Sequence, residues 1–411
     1  MTNKKTRTFM ADRRGNVGIA FAFIAVPLIA FVGSAVDYGS ALRTKTKLQS
    51  VVDIAAAAGA RLPATSNANR QTAVLNAFNA NATSSGLSAG APTINATNAQ
   101  VTVSANATIS TAFLGLIGVT DITVHAESSA RSQIENGGVA CLISLSETAS
   151  EGLHMQGINK FASQNCWAWV NSKSTTSLEA VGAAQGTAQG FCTAGKVVGP
   201  EQFHPTPYTE CDPFADPFKD KLPAPASLDC TYNNKQVKSG YEILQPGVYC
   251  GGLSLKPQAV ANLQPGVYVI KGGELEVQAQ SMLMGNGVVF YFTGQNTGIR
   301  IRGGGSVVVK APATGDYAGF IMVQDATSNP GQESEVQGGG RLKIEGIVYT
   351  PTWRLSIGGN GELNQEASYF ALIADSFKME GNGRLHIKSD ADAAGLPNRM
   401  PRIKNGPVIL K

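Results

Sequence analysis

Leu244-Gln245-Pro246-Gly247-Val248-Tyr249 returns as Leu263-Gln264-Pro265-Gly266-Val267-Tyr268, an offset of 19 residues (263 − 244). A repeat this short cannot bury its own apolar residues, so it points to a unit that stacks on its neighbours. Gly-Asn-Gly stands at 285–287, 359–361 and 381–383, each beside a short β-prone run. The runs lie at 288–292, 306–310, 319–323, 342–349, 355–357, 369–373 and 385–387. Short strands with Gly corners, which supply positive φ or close backbone approach, predict a parallel β-helix over 139–390. A β-sandwich is the competing arrangement, and the 19-residue echo favours the solenoid.

The same plan reaches back towards the N-terminus. Gly152-Leu153-His154-Met155-Gln156-Gly157 and Ser177-Leu178-Glu179-Ala180-Val181-Gly182 each read as a turn followed by a short strand. Between them and the repeat, about 199–240 is too Pro-rich for rungs and reads as an excursion pinned by Cys211 and Cys230. All six cysteines, Cys141, Cys166, Cys192, Cys211, Cys230 and Cys250, fall in this part of the chain. An even count reads as disulfides with fifteen connectivities, of which sequential pairing is the expectation. No Cys/His spacing suits zinc.

Charged residues make up 15% of the 411, against about a quarter in an average protein. Their place is taken by Gly and small polar residues, which suits an envelope or secreted protein better than a cytosolic enzyme. The net charge of +4 is small and scattered, so nucleic acid is not an expected partner.

Residues 17–36, VGIAFAFIAVPLIAFVGSAV, hold no charge and suffice to cross a bilayer. The expected anchor runs from Val17 through Phe21, Pro27 and Phe31 to Val36. Residues 1–16 form a short tail with Lys4, Lys5, Arg7, Arg13 and Arg14, which favours a cytoplasmic N-terminus. The rest of the chain would then lie in an oxidising compartment, where disulfides persist. A cleaved signal peptide is the alternative, but the apolar stretch is long and no A-x-A site follows it. The helix is expected to continue to about residue 61, with Val36, Leu42, Leu48, Val51, Val52 and Ile54 on its apolar side. A second helix is expected at about 67–80 through Val74, Leu75 and Phe78. From Thr93 the period changes to two, and 100–104 and 121–126 read as half-buried strands around the apolar piece 113–117.

The basic pair before Gly15, the apolar span, the pair Asp37-Tyr38 and the Leu-Gln…Asp…Ala-Ala-Ala run at 48–58 together resemble the N-terminus of TadE/TadG-like tight-adherence pilus-assembly proteins. The resemblance implies a small α+β pilin-like module over 37–135, and partners among pilus-assembly or other envelope proteins. Part of the later chain also resembles β-helical regions attached to such anchors. Members cut after a Gly carry an acidic residue early in the span. Here Gly15 is followed by Asn16-Val17-Gly18-Ile19-Ala20, so an unprocessed anchor is the expectation. Larger relatives carry a metal-binding Asp-x-Ser-x-Ser string; the nearest string, 142–146, has Leu in place of the carboxylate.

No catalytic constellation emerges. The histidines, His125, His154, His204 and His386, are spread without a paired motif. Asp212, Asp216, Asp220 and Asp229 lack calcium-loop spacing and two of them precede prolines, as turn residues do. Asp316, Asp325, Glu333 and Glu335 keep open a carbohydrate-active enzyme, which needs two acids across a cleft. Trp167, Trp169 and the Tyr349/Trp353 pair are candidate sugar or protein platforms, and Trp167, directly after Cys166, reads as packing beside a disulfide. The expected protein is mainly β, without metal or cofactor: a single-pass bacterial inner-membrane protein that is non-enzymatic and linked to a tight-adherence pilus. Surface polysaccharide is a further partner class. A β-helical carbohydrate-active enzyme and a stand-alone adhesin are the alternatives. Residues 391–411 are expected to cap an open edge near 385–388.

Overall fold

A computed structural model describes residues 16–62, 67–97, 100–131, 138–163, 165–328, 332–338, 342–360, 362–403 and 408–410. The chain is mainly β and divides into two units, 1–135 with 406–411, and 136–405.

In the first unit a 45-residue helix, α1 (Asn16–Ala60), is followed by α2 (Asn67–Ser84). Three strands follow, β1 (Thr93–Ala96), β2 (Gln100–Ser110) and β3 (Asp121–Arg131), all antiparallel to their neighbours. Val101, Val103, Ala105 and Ala107 of β2, with Val124, Ala126 and Ala130 of β3, form the buried face. Onto it packs a stripe of α1: Ala41, Leu48, Val52, Ala55 and Ala56. The stripe follows the helical period but differs from the expected apolar side, because Val36, Leu42 and Ile54 point to solvent. A similar correction applies in α2, where Val74 and Phe78 are buried and Leu75 is exposed. Arg70, fully buried, donates from Nε to the Gly59 carbonyl at 3.2 Å and from Nη1 to the Thr97 carbonyl, tying α1 to the strand entry.

Of the expected anchor, Phe21, Phe31 and Val36 are exposed on α1, while the side chains of Val17 and Pro27 lie outside the described residues. So does Gly15; Asn16 opens the helix. Among the described residues no helix is long and apolar enough to cross a membrane. The side chains at 16–20, 22, 26, 27, 29 and 30 are outside that description.

The second unit is a winding parallel sheet. Val139–Ser144, Leu153–Gly157 and Lys160–Ser163 make one circuit. Cys166–Val170, Leu178–Gly182 and Gln185–Thr187 lie on it in parallel register, and Gly190–Thr193, Val197–Val198 and Phe203–His204 lie on those. The chain then leaves and restarts at Tyr232–Val237 and Gly240–Leu244, followed by Gly247–Leu255 and Ala259–Leu263. Winding continues to Phe370–Gly381 and Arg384–Ile387. The stack does not stop there. Residues 377–381 pair with Leu153–Gly157, and Arg384–Ile387 pairs with Lys160–Ser163. Sequence order and stacking order therefore differ: the chain enters the middle of the stack, and its last circuit docks beneath its first.

This corrects the expected open edge near 385–388: Arg384–Ile387 is covered by Lys160–Ser163, and Leu385 also pairs with Leu363 on its other side. Instead, Ala391, Ala394, Leu396 and Met400 of the tail are buried in the core of this unit, and Val408–Leu410 adds antiparallel to β3 of the first unit. Backbone pairing with an existing strand satisfies the donors and acceptors that a free tail would leave to water.

The repeat is explained by one contact. Leu244 stands beside Leu263 in register, so 19 residues make one circuit. Tyr249 and Tyr268 stack at 5.8 Å in the core, between Tyr232 and Phe290. The Tyr249 hydroxyl donates to the Gln245 carbonyl at 2.6 Å, and the Tyr268 hydroxyl to the equivalent Gln264 carbonyl at 2.8 Å. Gly266, at φ +144°, lies over Pro246, where a Cβ would clash.

The excursion is shorter than expected, since Phe203–His204 and Tyr232–Val237 within 199–240 are strands. Residues 205–231 form a strap along the stack. Trp169 Nε1 donates to the Asp212 carbonyl at 3.1 Å, and Phe218 meets Phe320 and Tyr349 edge-on. Tyr317 donates to the Pro223 carbonyl and Lys271 to that of Leu228. Disulfides Cys192–Cys211 and Cys230–Cys250 fasten its two ends, and Cys141–Cys166 joins neighbouring circuits.

Candidate functional site

The first candidate is built on Asp37, at the end of the apolar half of α1. Its carboxylate is buried and accepts three backbone amides from the β2–β3 connection: Ala112 at 3.0 Å, Phe113 at 2.9 Å and Leu114 at 2.7 Å. The Leu114 amide holds the carboxyl below its ordinary range; burial opposes this, and the amides of Ala112 and Phe113 reinforce it. Satisfying successive amides of a tight turn fixes the turn. Phe113 is thereby set against Gly33, one turn earlier on α1, where no side chain would fit. Leu114–Ile117 forms a 3-10 turn closed by Gly118 at φ +92°. Phe113, Ile117 and Val119 are left exposed. Sequence reading found Asp37 and the apolar piece separately; nothing in a single sequence joins residues about 75 positions apart.

The second candidate is a cluster that sequence reading missed. Glu151, His154 and Glu179 bring one ligand atom each within 4.8 Å of one another. His154 Nδ1 lies 2.7 Å from Glu179 and 3.7 Å from Glu151, and Arg354 holds Glu151 at 3.0 Å. The signal was present: Leu153 pairs with Leu178, so one circuit there is 25 residues, the interval from His154 to Glu179. These three residues are the described group that could hold a cation. Doing so would displace Arg354 from Glu151 and break the His154–Glu179 hydrogen bond. The cluster belongs to an outward row in register: Ser254, Glu276, Arg300, Glu335, then Ser356, Lys378, His154 and Glu179. Side chains in such a row stand about 5 Å apart and pair along the stack.

Of the acids considered for glycoside chemistry, Glu333 and Glu335 stand two residues apart on one strand, while Asp316 and Asp325 lie on other segments. Asp325 is engaged by Thr293, Thr327 and Ser328, and Glu335 by Arg302; Asp316 lies near Tyr317 beside the strap. His125 contacts Asn106, His204 is exposed and His386 half-buried. Asp212, Asp216, Asp220 and Asp229 are spread along the strap, and Asp216 accepts from Tyr349 at 2.8 Å. Trp353 and Trp167 are buried, and Trp169 packs edge-on against Phe214. The string 142–146 lies at the first strand of the second unit.

A long helix laid on a small antiparallel sheet, followed by a parallel sheet closed around an apolar core, defines a mainly β protein with an α+β leader. Residues 15–62 match the Tad family, described as "Putative Flp pilus-assembly TadE/G-like". That match covers α1 and supports a role in Flp, or tight-adherence, pilus assembly. No curated protein and no solved structure matches the chain.

Proposed function

We propose that the chain is a membrane-anchored, non-enzymatic envelope protein that serves tight-adherence pilus assembly by anchoring or by surface display. One observation carries this: the segment matching the Tad family has two different halves. Between 41 and 60 one stripe, Ala41, Leu48, Val52, Ala55 and Ala56, is buried against a sheet, whereas Phe21, Phe23, Ile24, Leu28, Phe31 and Val32 are exposed. Contiguous exposed apolar surface of this extent needs cover, and a bilayer supplies it along a helix of this length. The anchor would be single-pass in the inner membrane, with N-terminus inside, Val17, Phe21, Pro27, Phe31 and Val36 in lipid and the chain beyond Val36 outside. The circuits are read as a parallel β-helix whose outward polar row presents a rigid face to an envelope partner or a surface polysaccharide. A host strain lacking the chain is expected to lose pilus-dependent adhesion and regain it with the full chain. Unchanged adhesion and piliation without it would contradict the assignment.

A further inference from the structure

We propose that the β2–β3 connection is a second membrane contact, seating Phe113, Ile117 and Val119 in the headgroup–acyl boundary beside the anchor helix. The proposal rests on the membrane reading of α1 and adds a lipid-binding element to it. Residues 111–120, TAFLGLIGVT, carry no charged side chain. Three of their apolar side chains are exposed although the adjoining strands alternate buried and polar positions in the ordinary way. Their level is fixed by the Asp37 bonds and by Phe113 on Gly33. Gly33 lies three residues inside the span that ends at Val36, roughly 5 Å at 1.5 Å per residue. That matches the depth of about 5–10 Å at which interfacial apolar side chains sit. Phe113 stands against Gly33, on the same stretch of α1 as the exposed Phe31, Val32 and Val36. An aqueous loop would leave both apolar surfaces exposed to water; lipid covers both with one surface. Asp37 closes the arrangement, since its three amide donors let a carboxylate stand at the boundary without water.

The test uses the full chain in phosphatidylethanolamine–phosphatidylglycerol vesicles, with one nitroxide-labelled cysteine at a time: I117C, F31C or T108C. The described cysteines are all in disulfides, so each added thiol is labelled selectively. Relaxation by oxygen, which concentrates in lipid, is compared with relaxation by a water-soluble nickel chelate. The expected oxygen-to-nickel accessibility ratio is severalfold higher at 117 than at 108, and higher still at 31. A nickel-accessible label at 117 with a lipid-exposed label at 31 overturns the loop contact and leaves the anchor standing. Nickel access at both overturns the anchor and this proposal together. Shielding of 117 from both reagents would mean that protein covers the loop, and would also overturn it.

Discussion

Tyr268 shows how one side chain turns a sequence echo into a circuit. Its hydroxyl donates to the carbonyls of Leu244 and Gln264, both at 2.8 Å, while its ring stacks on Tyr249. Tyr268→Phe should cost about 1–3 kcal/mol in urea unfolding, the penalty for stranding buried acceptors. Tyr241→Phe, at an exposed position, should stay within about 0.5 kcal/mol. Equal effects would contradict the assigned role. Tyr291 and Tyr317 are pushed up to about 12, first by burial and then by Asp325 beside Tyr291 and by Tyr291 and Asp316 beside Tyr317. Raised values favour the neutral form in the folded state. Their contribution to stability is complete below the ordinary value of 10.0 and is lost as pH rises to about 12. Absorbance at 295 nm should show these phenols ionising above the ordinary range, together with loss of structure; uniform ionisation near 10 would contradict it. Asp37 works in the opposite sense: its depressed value adds stability above the ordinary 3.8, lost as pH falls through the folded-state value. The apolar periods that place Tyr268 and Asp37 were readable in the sequence. Their hydrogen-bond partners were not, because carbonyls and amides carry no residue signature.

Among elements, the strap depends on its ends. Residues 205–231 hold no strand, and disulfides Cys192–Cys211 and Cys230–Cys250 join it to the two circuits at which it starts and finishes. Each closes a loop of about 20 residues, worth roughly 3 kcal/mol in the chain-entropy account. Replacing either pair by alanines should lower the unfolding free energy by about that amount, measured by urea midpoint. Loss of neither would show that the strap's aromatic contacts suffice. Proline content revealed that 199–240 departs from the rungs, and also blurred where strands resume, since Tyr232–Val237 reads as polar. That strand is the outer member of its pairing, and the reason is visible in register: Lys235 takes the row of Leu253, and Glu242 that of Ala261. Lys235 and Glu242 pair at 2.5 Å where the core would otherwise open to water. Charges turned inward on a terminal strand also discourage further strand addition. In α1 the helix itself was legible, but the buried stripe was misassigned to Leu42 and Ile54. The periodicity of an apolar, Ala-rich helix leaves more than one face able to pack.

At the scale of the whole chain, stacking order departs from sequence order, and no local pattern encodes that. Corner glycines and short strands look alike in every circuit, so the docking of 377–381 on Leu153–Gly157 leaves no mark in either segment alone. Gln156→Cys with Glu380→Cys, neighbours in register, should crosslink without disturbing the fold, whereas Gln156→Cys with Ser254→Cys should not. Absence of a 156–380 crosslink would contradict the docking of the last circuit on the first. Both ends of the second unit are closed, one by the Lys235–Glu242 pair, the other by Tyr208 and Cys211 bonding to Phe191 and Thr193. A stack finished at both ends suits display as a single rigid body more than growth into a fibre. The proposed display requires the proposed anchor, which is tested most directly by alkaline carbonate extraction of host membranes with intact mass and N-terminal sequencing. The expected result is unprocessed chain in the inner-membrane pellet with no free thiol. Chain starting near residue 37 in the soluble fraction would contradict it.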